Sequence, residues 1–262
     1  MIPERALKEW SEFLPWKMKE YIEQDLIICR ALCALFNDEY LGEHLAFRGG
    51  TTLNKLYLHP QPRYSEDIDL VQINAEPIKE TMERIRKALM FLGKPVIKQK
   101  NHNNTLIFRY NSEILPIIPL RLKVEINTRE HFNVLGLTQH DFSVNNQWFS
   151  GSCKATTYFL EELLGTKLRA LYQRRKGRDL FDLWKALSTQ SINTENIIRC
   201  YRVYIGFSVD NSPTQKEYLL NIEQKIVDSE FLGDIEMLLR PDEKYNPVEA
   251  WELVKEVLIK KL

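Results

Sequence analysis

The chain has 262 residues, 44% of them hydrophobic, and its 36 basic side chains balance 36 acidic ones. This hydrophobic content excludes a wholly disordered chain, and no apolar run approaches the roughly 20 residues that a membrane helix needs. The zero net charge argues against a protein whose whole surface binds nucleic acid, but it does not exclude segregated charges. Four cysteines are too few for the disulfide scaffold of a small secreted protein. We therefore expect a soluble, cytoplasmic protein without a membrane partner.

The first half of the chain alternates between helical and strand patterns. Helical spacing of apolar residues covers 5–40, and a short strand at 45–48 then leads through a glycine turn into a helix that we expect a threonine to cap. Further along this half, the patterns predict one helix at 77–92 and four strands at 68–73, 96–100, 105–110 and 120–127.

From residue 157 onward the pattern is helical. The chain is therefore predicted to have an α+β fold, in which a mixed sheet with flanking helices precedes an all-helical region. We place the α/β domain at residues 1–150 and the helical domain, which carries a basic helix, at residues 151–262.

Two carboxylates in one predicted strand are the most informative feature of the sequence. Asp67 and Asp69 are two residues apart, so alternation along the strand points both side chains to one face. Carboxylates in an apolar strand repel each other, and a hard cation such as Mg²⁺ relieves this repulsion. The pair therefore indicates a metal site, and the alternative is an exposed strand with two solvated acids.

A glycine turn precedes that strand. At Gly49 and Gly50 the backbone can approach a ligand closely, and the N-terminus of the following helix favours anions. Thr51 or Thr52 can offer a hydroxyl to a phosphate. Many such turns only reverse the chain, but a turn followed by Asp-x-Asp is the arrangement expected for a metal-bound triphosphate.

Glu125 is the candidate for a third acid, because a site that bridges a nucleophile and a leaving group uses several carboxylates. It lies within an otherwise apolar strand. Its alternative role is an ion pair with Arg121, Lys123 or Arg129.

The basic residues are concentrated between Lys154 and Lys185, where they outnumber the acidic ones. A basic helix is usually a solvated face. Beside a polyphosphate site, however, Lys167 is expected to contact nucleotide phosphates. Asp179 and Asp182 share a helix face, and they either orient Lys167, bind a sugar or base, or pair with arginines. A cluster expected to hold a nucleic-acid backbone follows Lys167: Arg174, Arg175, Lys176 and Arg178.

These motifs together resemble those of the AbiEii family of nucleotidyltransferase toxins, within the DNA-polymerase-β-like superfamily. The first family motif matches residues 49–53 and 63–69, and the second resembles 124–127. The third and fourth match the Lys-Leu-x-Ala helix at 167–170 and the Arg-Asp-x-x-Asp-Leu segment at 178–183.

The resemblance implies a polymerase-β-like core that uses Mg²⁺, or Mn²⁺, to transfer a nucleotide from an NTP with release of pyrophosphate. It also implies a bacterial toxin–antitoxin or phage-defence role, with a cognate antitoxin or repressor as partner. The implied catalytic residues are Asp67, Asp69, Glu125 and Lys167, the first three as metal ligands. The implied nucleotide-binding residues are Gly49, Gly50, Thr51, Thr52, Arg63, Ser65, Asp179 and Asp182.

Three functions remain open at this stage. The basic segment favours an RNA acceptor, and relatives that modify tRNA make tRNA the first choice. A protein hydroxyl is the second possible acceptor. The third function is a non-catalytic module that binds a nucleotide or a partner protein.

Overall fold

The computed structural model describes residues 2–100 and 102–262. The chain divides into two compact units, Met1–Phe132 with Leu137–Tyr158 and Asn133–Gly136 with Phe159–Leu262. The first unit contains a sheet with helices and the second is helical, so the predicted α+β fold class is confirmed. Within the described part of the chain, every helix is too short or too polar to cross a membrane.

One mixed sheet of the first unit contains seven strands within the described residues: β1 (Leu45–Arg48), β2 (Asp67–Gln72), β3 (Val96–Lys100), β4 (Asn103–Asn111), β5 (Pro119–Asn127), β6 (Leu137–Asn145) and β7 (Ser150–Tyr158). Their order is β3-β4-β5-β2-β1-β7-β6. The β2–β5 and β1–β7 pairs are parallel and the other pairs are antiparallel. β2, which carries the Asp-x-Asp motif, therefore lies in the middle of the sheet.

The helices of the first unit are α1 (Glu4–Phe13), α2 (Lys19–Phe36), α3 (Glu39–His44), the single turn α4 (Gly49–Thr52) and α5 (Lys79–Ala88). A π-helical turn at Leu53–Tyr57 continues α4, and a 3₁₀ turn at Met90–Leu92 follows α5. One face of the sheet is apolar, and its side chains, such as Phe47, Ile68 and Val124, are fully buried. Alternation along the strands leaves Asp67 and Asp69 on the opposite face.

The second unit is built from α6 (Leu160–Gln173), α7 (Gly177–Thr189), α8 (Thr194–Ser208), α9 (Gln215–Lys225), α10 (Ser229–Gly233), α11 (Pro247–Val257) and a 3₁₀ turn at Ile259–Lys261. Gly165 allows α6 to approach α8 closely, since a Cβ there would lie 2.6 Å from Cys200 Cβ. Helix starts follow sequence signals: Asn193 caps α8, and Thr214 forms a capping box with Glu217 at α9.

The single helical segment predicted at 5–40 is three helices. Pro15 follows the end of α1, where the residue before a proline is disfavoured in helical geometry. α2 ends at Phe36, and Asp38 caps α3 by accepting a hydrogen bond from Leu41 N at 3.0 Å. Apolar residues can keep their helical spacing across a break between two helices, so the spacing alone does not reveal where α1 and α2 end.

The β6–β7 hairpin has no counterpart among the predicted elements. β7 consists mainly of serine, threonine, glycine, alanine and cysteine, and β6 carries polar side chains at most positions. These residues lack the bulky apolar alternation that identifies a strand. β7 nevertheless pairs with β1 and β6 in the interior of the sheet. The predicted domain boundary at 150 falls at the start of β7, whereas the first unit extends to Tyr158.

Candidate active site

The glycine turn lies directly against the Asp-x-Asp strand. β1 pairs with β2 so that Arg48 is opposite Asp69, and the turn begins at the next residue. Gly49 has a φ of +86°, and a Cβ there would lie 2.1 Å from Asp69 Oδ2. Both the backbone conformation and the space therefore require glycine. The absence of a side chain lets the turn and the Asp69 carboxylate occupy adjacent positions.

Buried polar side chains hold this turn in place. The hydroxyls of Thr51 and Ser65 lie 2.8 Å apart, and Thr51 Oγ1 also donates to the carbonyl oxygen of Asp67. Asn54 Nδ2 donates to Gly50 O at 2.8 Å. The guanidinium of Arg63 packs under Gly50, since a Cβ on Gly50 would lie 2.5 Å from Arg63 Nη2. These contacts connect the turn to β2.

The predicted threonine cap is wrong. Arg48 is the N-cap residue of α4, and no side chain caps this helix. Thr51 is 1% exposed, and its hydroxyl bonds to the strand that carries the acids because that strand passes beneath the turn. The Thr52 side chain is also buried, and its Oγ1 has no hydrogen-bond partner among the described residues.

The three predicted acids lie on neighbouring strands. In the β2–β5 register, Asp67 is opposite Lys123 and Asp69 is opposite Glu125. Burial, together with the negative charges of Glu66 and Asp69, raises the pKa of Asp67 to about 7. Glu125 makes the ion pair that was its alternative, with Oε1 at 2.7 Å from Lys123 Nζ. This face of the sheet therefore concentrates negative charge beside the turn.

In the second unit, Lys167 on α6 is buried between the two aspartates of α7. Its Nζ lies 3.0 Å from Asp179 Oδ1 and 3.0 Å from Asp182 Oδ2. Arg174 adds a bidentate contact to Asp179, with distances of 2.6 and 2.7 Å. Of the roles left open for the aspartates, the structure shows ion pairing with both Lys167 and an arginine.

The remaining basic residues of this segment also have acidic partners within the second unit. Arg175 pairs with Asp228 at 3.0 Å, and Lys176 pairs with Asp234 at 3.1 Å. Arg178 lies 3.7 Å from Asp234. Exposed pairs of this kind contribute little to stability. They do offset much of the local positive charge that the sequence suggested for nucleic-acid contact.

A family model of nucleotidyl transferase AbiEii toxins of type IV toxin–antitoxin systems matches residues 30–257. The chain belongs to this family. It is therefore a nucleotidyltransferase of a toxin family, as the motifs predicted. A search of curated protein sequences found no significant match.

Solved structures share the fold of this AbiEii protein at low sequence identity. MenT4, the nucleotidyltransferase toxin Rv2826c from Mycobacterium tuberculosis H37Rv, is 17% identical with a TM-score of 0.64, and the match covers 93% of this chain and 85% of MenT4. JHP933 from Helicobacter pylori is 17% identical with a TM-score of 0.52, and the match covers 94% of each chain. A putative nucleotidyltransferase from H. pylori is 18% identical with a TM-score of 0.52, over 94% of this chain and 97% of its own.

No group of three or more His, Cys, Asp and Glu side chains within residues 2–100 and 102–262 is arranged to hold a metal ion. Asp67 and Asp69 nevertheless fit a hard divalent cation as a pair, because they are oxygen donors on one face of a rigid strand. The raised pKa of Asp67, caused by burial and by neighbouring negative charge, is the electrostatic situation that a cation relieves.

Sequence reasoning missed a buried ion pair behind the turn. Lys55, in the π-helical turn that follows α4, places its Nζ 2.7 Å from both carboxylate oxygens of Asp25 on α2. Asp25 also accepts from Trp10 Nε1 at 3.1 Å, and Cys29 Sγ lies 3.4 Å from Lys55 Nζ. We call these four residues the Lys55 cluster. Asp25, an acid within the apolar stripe of α2, is the sequence signal from which a buried ion pair could have been predicted.

The Asp179 ion pairs predict a pH-dependent stability. Burial by itself raises the pKa of Asp179, but Lys167 and Arg174 more than offset this and lower it to about 2. The ionised carboxylate thus stabilises the fold above the unfolded-state pKa near 4, and this stabilisation is lost as the pH falls towards 2. The free energy of unfolding of the wild type should exceed that of Asp179→Asn by an amount that shrinks by about 2 kcal/mol over this range.

Denaturant unfolding of both variants between about pH 6 and about pH 2 measures the change. Asp242→Asn is the matched control, because Asp242 is exposed and pairs only at the surface with Arg240. A wild-type advantage that stays constant over the whole pH range would contradict the assignment.

Proposed function

We propose that this AbiEii-family protein is a Mg²⁺-dependent enzyme that transfers a nucleotide from an NTP to an RNA acceptor, with tRNA as the first candidate, and releases pyrophosphate. The observation that carries the proposal is the close approach of the glycine turn to Asp69, where a Cβ on Gly49 would lie 2.1 Å from Oδ2. A triphosphate at the turn and a cation at the Asp-x-Asp pair would be neighbours there.

Asp67 and Asp69 are the residues that would hold Mg²⁺, or Mn²⁺, through their carboxylate oxygens. When bound, the cation supplies positive charge that offsets the negative charge developing on the reacting phosphate. Binding of the cation would favour the ionised form of both carboxyl groups.

The chain's own residues account for binding and proton transfer. The backbone N–H groups at Gly49 and Gly50 bind phosphate oxygens. Thr51, Ser65 and Arg63 act by holding the turn in position. The acceptor hydroxyl attacks the α-phosphorus, an O–P bond forms, and the bond to the pyrophosphate oxygen breaks. Glu125, whose Oε1 pairs with Lys123, takes the hydroxyl proton or completes a second ion site.

The second unit contributes the other family motifs to the proposal. Lys167, Asp179 and Asp182 remain the nucleotide-binding candidates, and their mutual ion pairs fix the lysine ammonium in one position. A flexible lysine would lose more side-chain entropy on binding a phosphate than one that is already held.

Membership of a type IV toxin–antitoxin family implies an antitoxin partner and an NTP substrate. We propose that transfer to RNA is the toxic activity, that a cognate antitoxin restrains it, and that phage defence is its use in the cell. The segment 174–178 supports RNA over a protein acceptor only weakly, because its cations are already paired.

Incubation of the purified protein with each α-³²P-labelled NTP and Mg²⁺, with total tRNA or with lysate proteins, tests this function. Label in the RNA band is the expected result, and chelation of the metal should abolish it. The same NTP labelled at the γ-phosphate should leave the RNA unlabelled, because that phosphate departs in pyrophosphate. Label in protein bands would favour protein nucleotidylation, and no label in either sample would favour a non-catalytic module.

A further inference from the structure

The face of the sheet that carries Asp67 and Asp69 continues beyond them across three strands. Side chains directly opposite each other in neighbouring strands share a face. The registers place Lys123 beside Asp67 and Arg121 two residues earlier on the same strand. They place Arg109 on β4 directly opposite Arg121, and Lys98 on β3 opposite Thr105, with Lys100 two residues further along β3 on the same face. Basic side chains therefore extend from the carboxylates to the edge of the sheet.

Four of these cations have no acidic partner in the part of the chain that the structure describes. Arg109, Arg121, Lys98 and Lys100 are exposed, and within residues 2–100 and 102–262 none of them forms an ion pair. The basic residues at 174–178 differ in this respect, since each has an aspartate partner in its own unit.

The like-charged side chains of Arg109 and Arg121 destabilise the folded sheet. Like charges directly opposite each other in antiparallel strands are destabilising, and no carboxylate of the described residues relieves this pair. Lysines on β3 are explained by its position at the sheet edge, where charge prevents pairing with another chain. That explanation does not apply to Arg109 and Arg121, because β4 and β5 are interior strands.

We infer that this face, which we call the β3–β5 basic face (Lys98, Lys100, Arg109 and Arg121), binds the phosphate backbone of the RNA acceptor; the inference rests on the proposed function. Its charge is complementary to a polyanion and is continuous with the candidate site. Arg109 is two strand spacings, about 10 Å, from the strand of Asp67. A strand of RNA lying on this face would therefore present its end to the carboxylates.

The test is direct RNA binding by the Arg109→Gln/Arg121→Gln variant, measured by the fluorescence anisotropy of a 5′-fluorescein-labelled tRNA transcript over about 50 to about 400 mM KCl. Loss of two phosphate contacts should make the slope of log K against log salt less steep by about 1.5, so the ratio of wild-type to variant affinity should rise roughly 30-fold for each tenfold dilution of salt. In the labelling reaction the variant should have a raised KM for tRNA and an unchanged kcat.

The matched control is Arg86→Gln/Lys87→Gln on α5, which removes the same charge from exposed positions of the same unit. It should bind tRNA like the wild type. Thermal unfolding of Arg109→Gln/Arg121→Gln serves as the folding control, and its midpoint should equal or exceed that of the wild type because a repulsive pair is removed.

Several results would overturn the inference. If the wild type labels RNA but both double variants bind tRNA as tightly as the wild type does, the basic face is not the binding surface and the proposed function stands. If both variants weaken binding to the same extent, net charge alone accounts for the effect. If the wild type binds no tRNA and labels protein instead, the inference and the RNA acceptor both fail, and the face would then suit an acidic protein surface.

Discussion

Asp69→Asn is expected to reduce nucleotide transfer by about 10³-fold or more, because loss of a metal-binding carboxylate removes several kcal/mol of transition-state stabilisation. Asp69 is opposite Glu125 in the register and beside Gly49, so asparagine preserves the shape of the side chain that packs against the turn. Single-turnover incorporation of α-labelled NTP at saturating Mg²⁺ measures the effect.

The fold of this variant should remain intact. Asp69 repels Asp67, whose pKa is raised first by burial and then by neighbouring negative charges, so a neutral residue at 69 removes an unfavourable interaction. Asp141→Asn, at an exposed position of the edge strand β6 in the same unit, is the control for the loss of one acid. Transfer by Asp69→Asn within a few-fold of the control rate would refute the metal assignment.

Lys55→Met is expected to lower the free energy of unfolding by about 3–5 kcal/mol, because it leaves the Asp25 carboxylate buried without its cation. Both side chains of this pair are almost completely buried, at 4% and 0% exposure. Burial by itself lowers the pKa of Lys55, but the contacts with Asp25 and Cys29 more than offset this and hold it above its usual value. The unfolding midpoint should fall by about 10 °C.

The double variant Lys55→Met/Asp25→Leu separates the charge effect from packing. A buried ion pair replaced by apolar residues is often neutral in stability, so the double variant should recover most of the loss. Transfer activity of the double variant then tests whether the Lys55 cluster also positions the glycine turn, since π-helical turns are frequent at functional sites. A single variant as stable as the wild type would show that the pair contributes nothing.

Several parts of the fold were predictable because local patterns and tertiary packing agree there. The strands at 45–48 and 96–100 begin and end where the sequence predicts them. The β6–β7 hairpin was not predictable. Its burial depends on α2, which packs on β7, and on β1, which pairs with it at Phe47 and Thr157. Both neighbours lie elsewhere in the chain, so the residues of the hairpin alone do not predict these contacts.

The candidate site was likewise predictable from the sequence only in part. Sequence spacing places Asp67 and Asp69 on one face, since alternation is a local property of a strand. Whether Glu125 lies beside them depends on the pairing of β2 with β5, which are separated by more than one element in the chain. The roles of Thr51 and Arg63 also depend on tertiary contacts, because the space beneath the turn is occupied by other segments.

The sequence by itself determined the family, the class of reaction and the acids of β2, because motif residues and their local spacing carry that information. Only the tertiary structure decided where the opposite charges of this neutral chain lie. Ion pairs form between residues distant in sequence, so they neutralise the segment 174–178 and leave Arg109 and Arg121 unpaired on the β3–β5 basic face. Strand register and burial, which no short window of sequence encodes, determine which charges remain available.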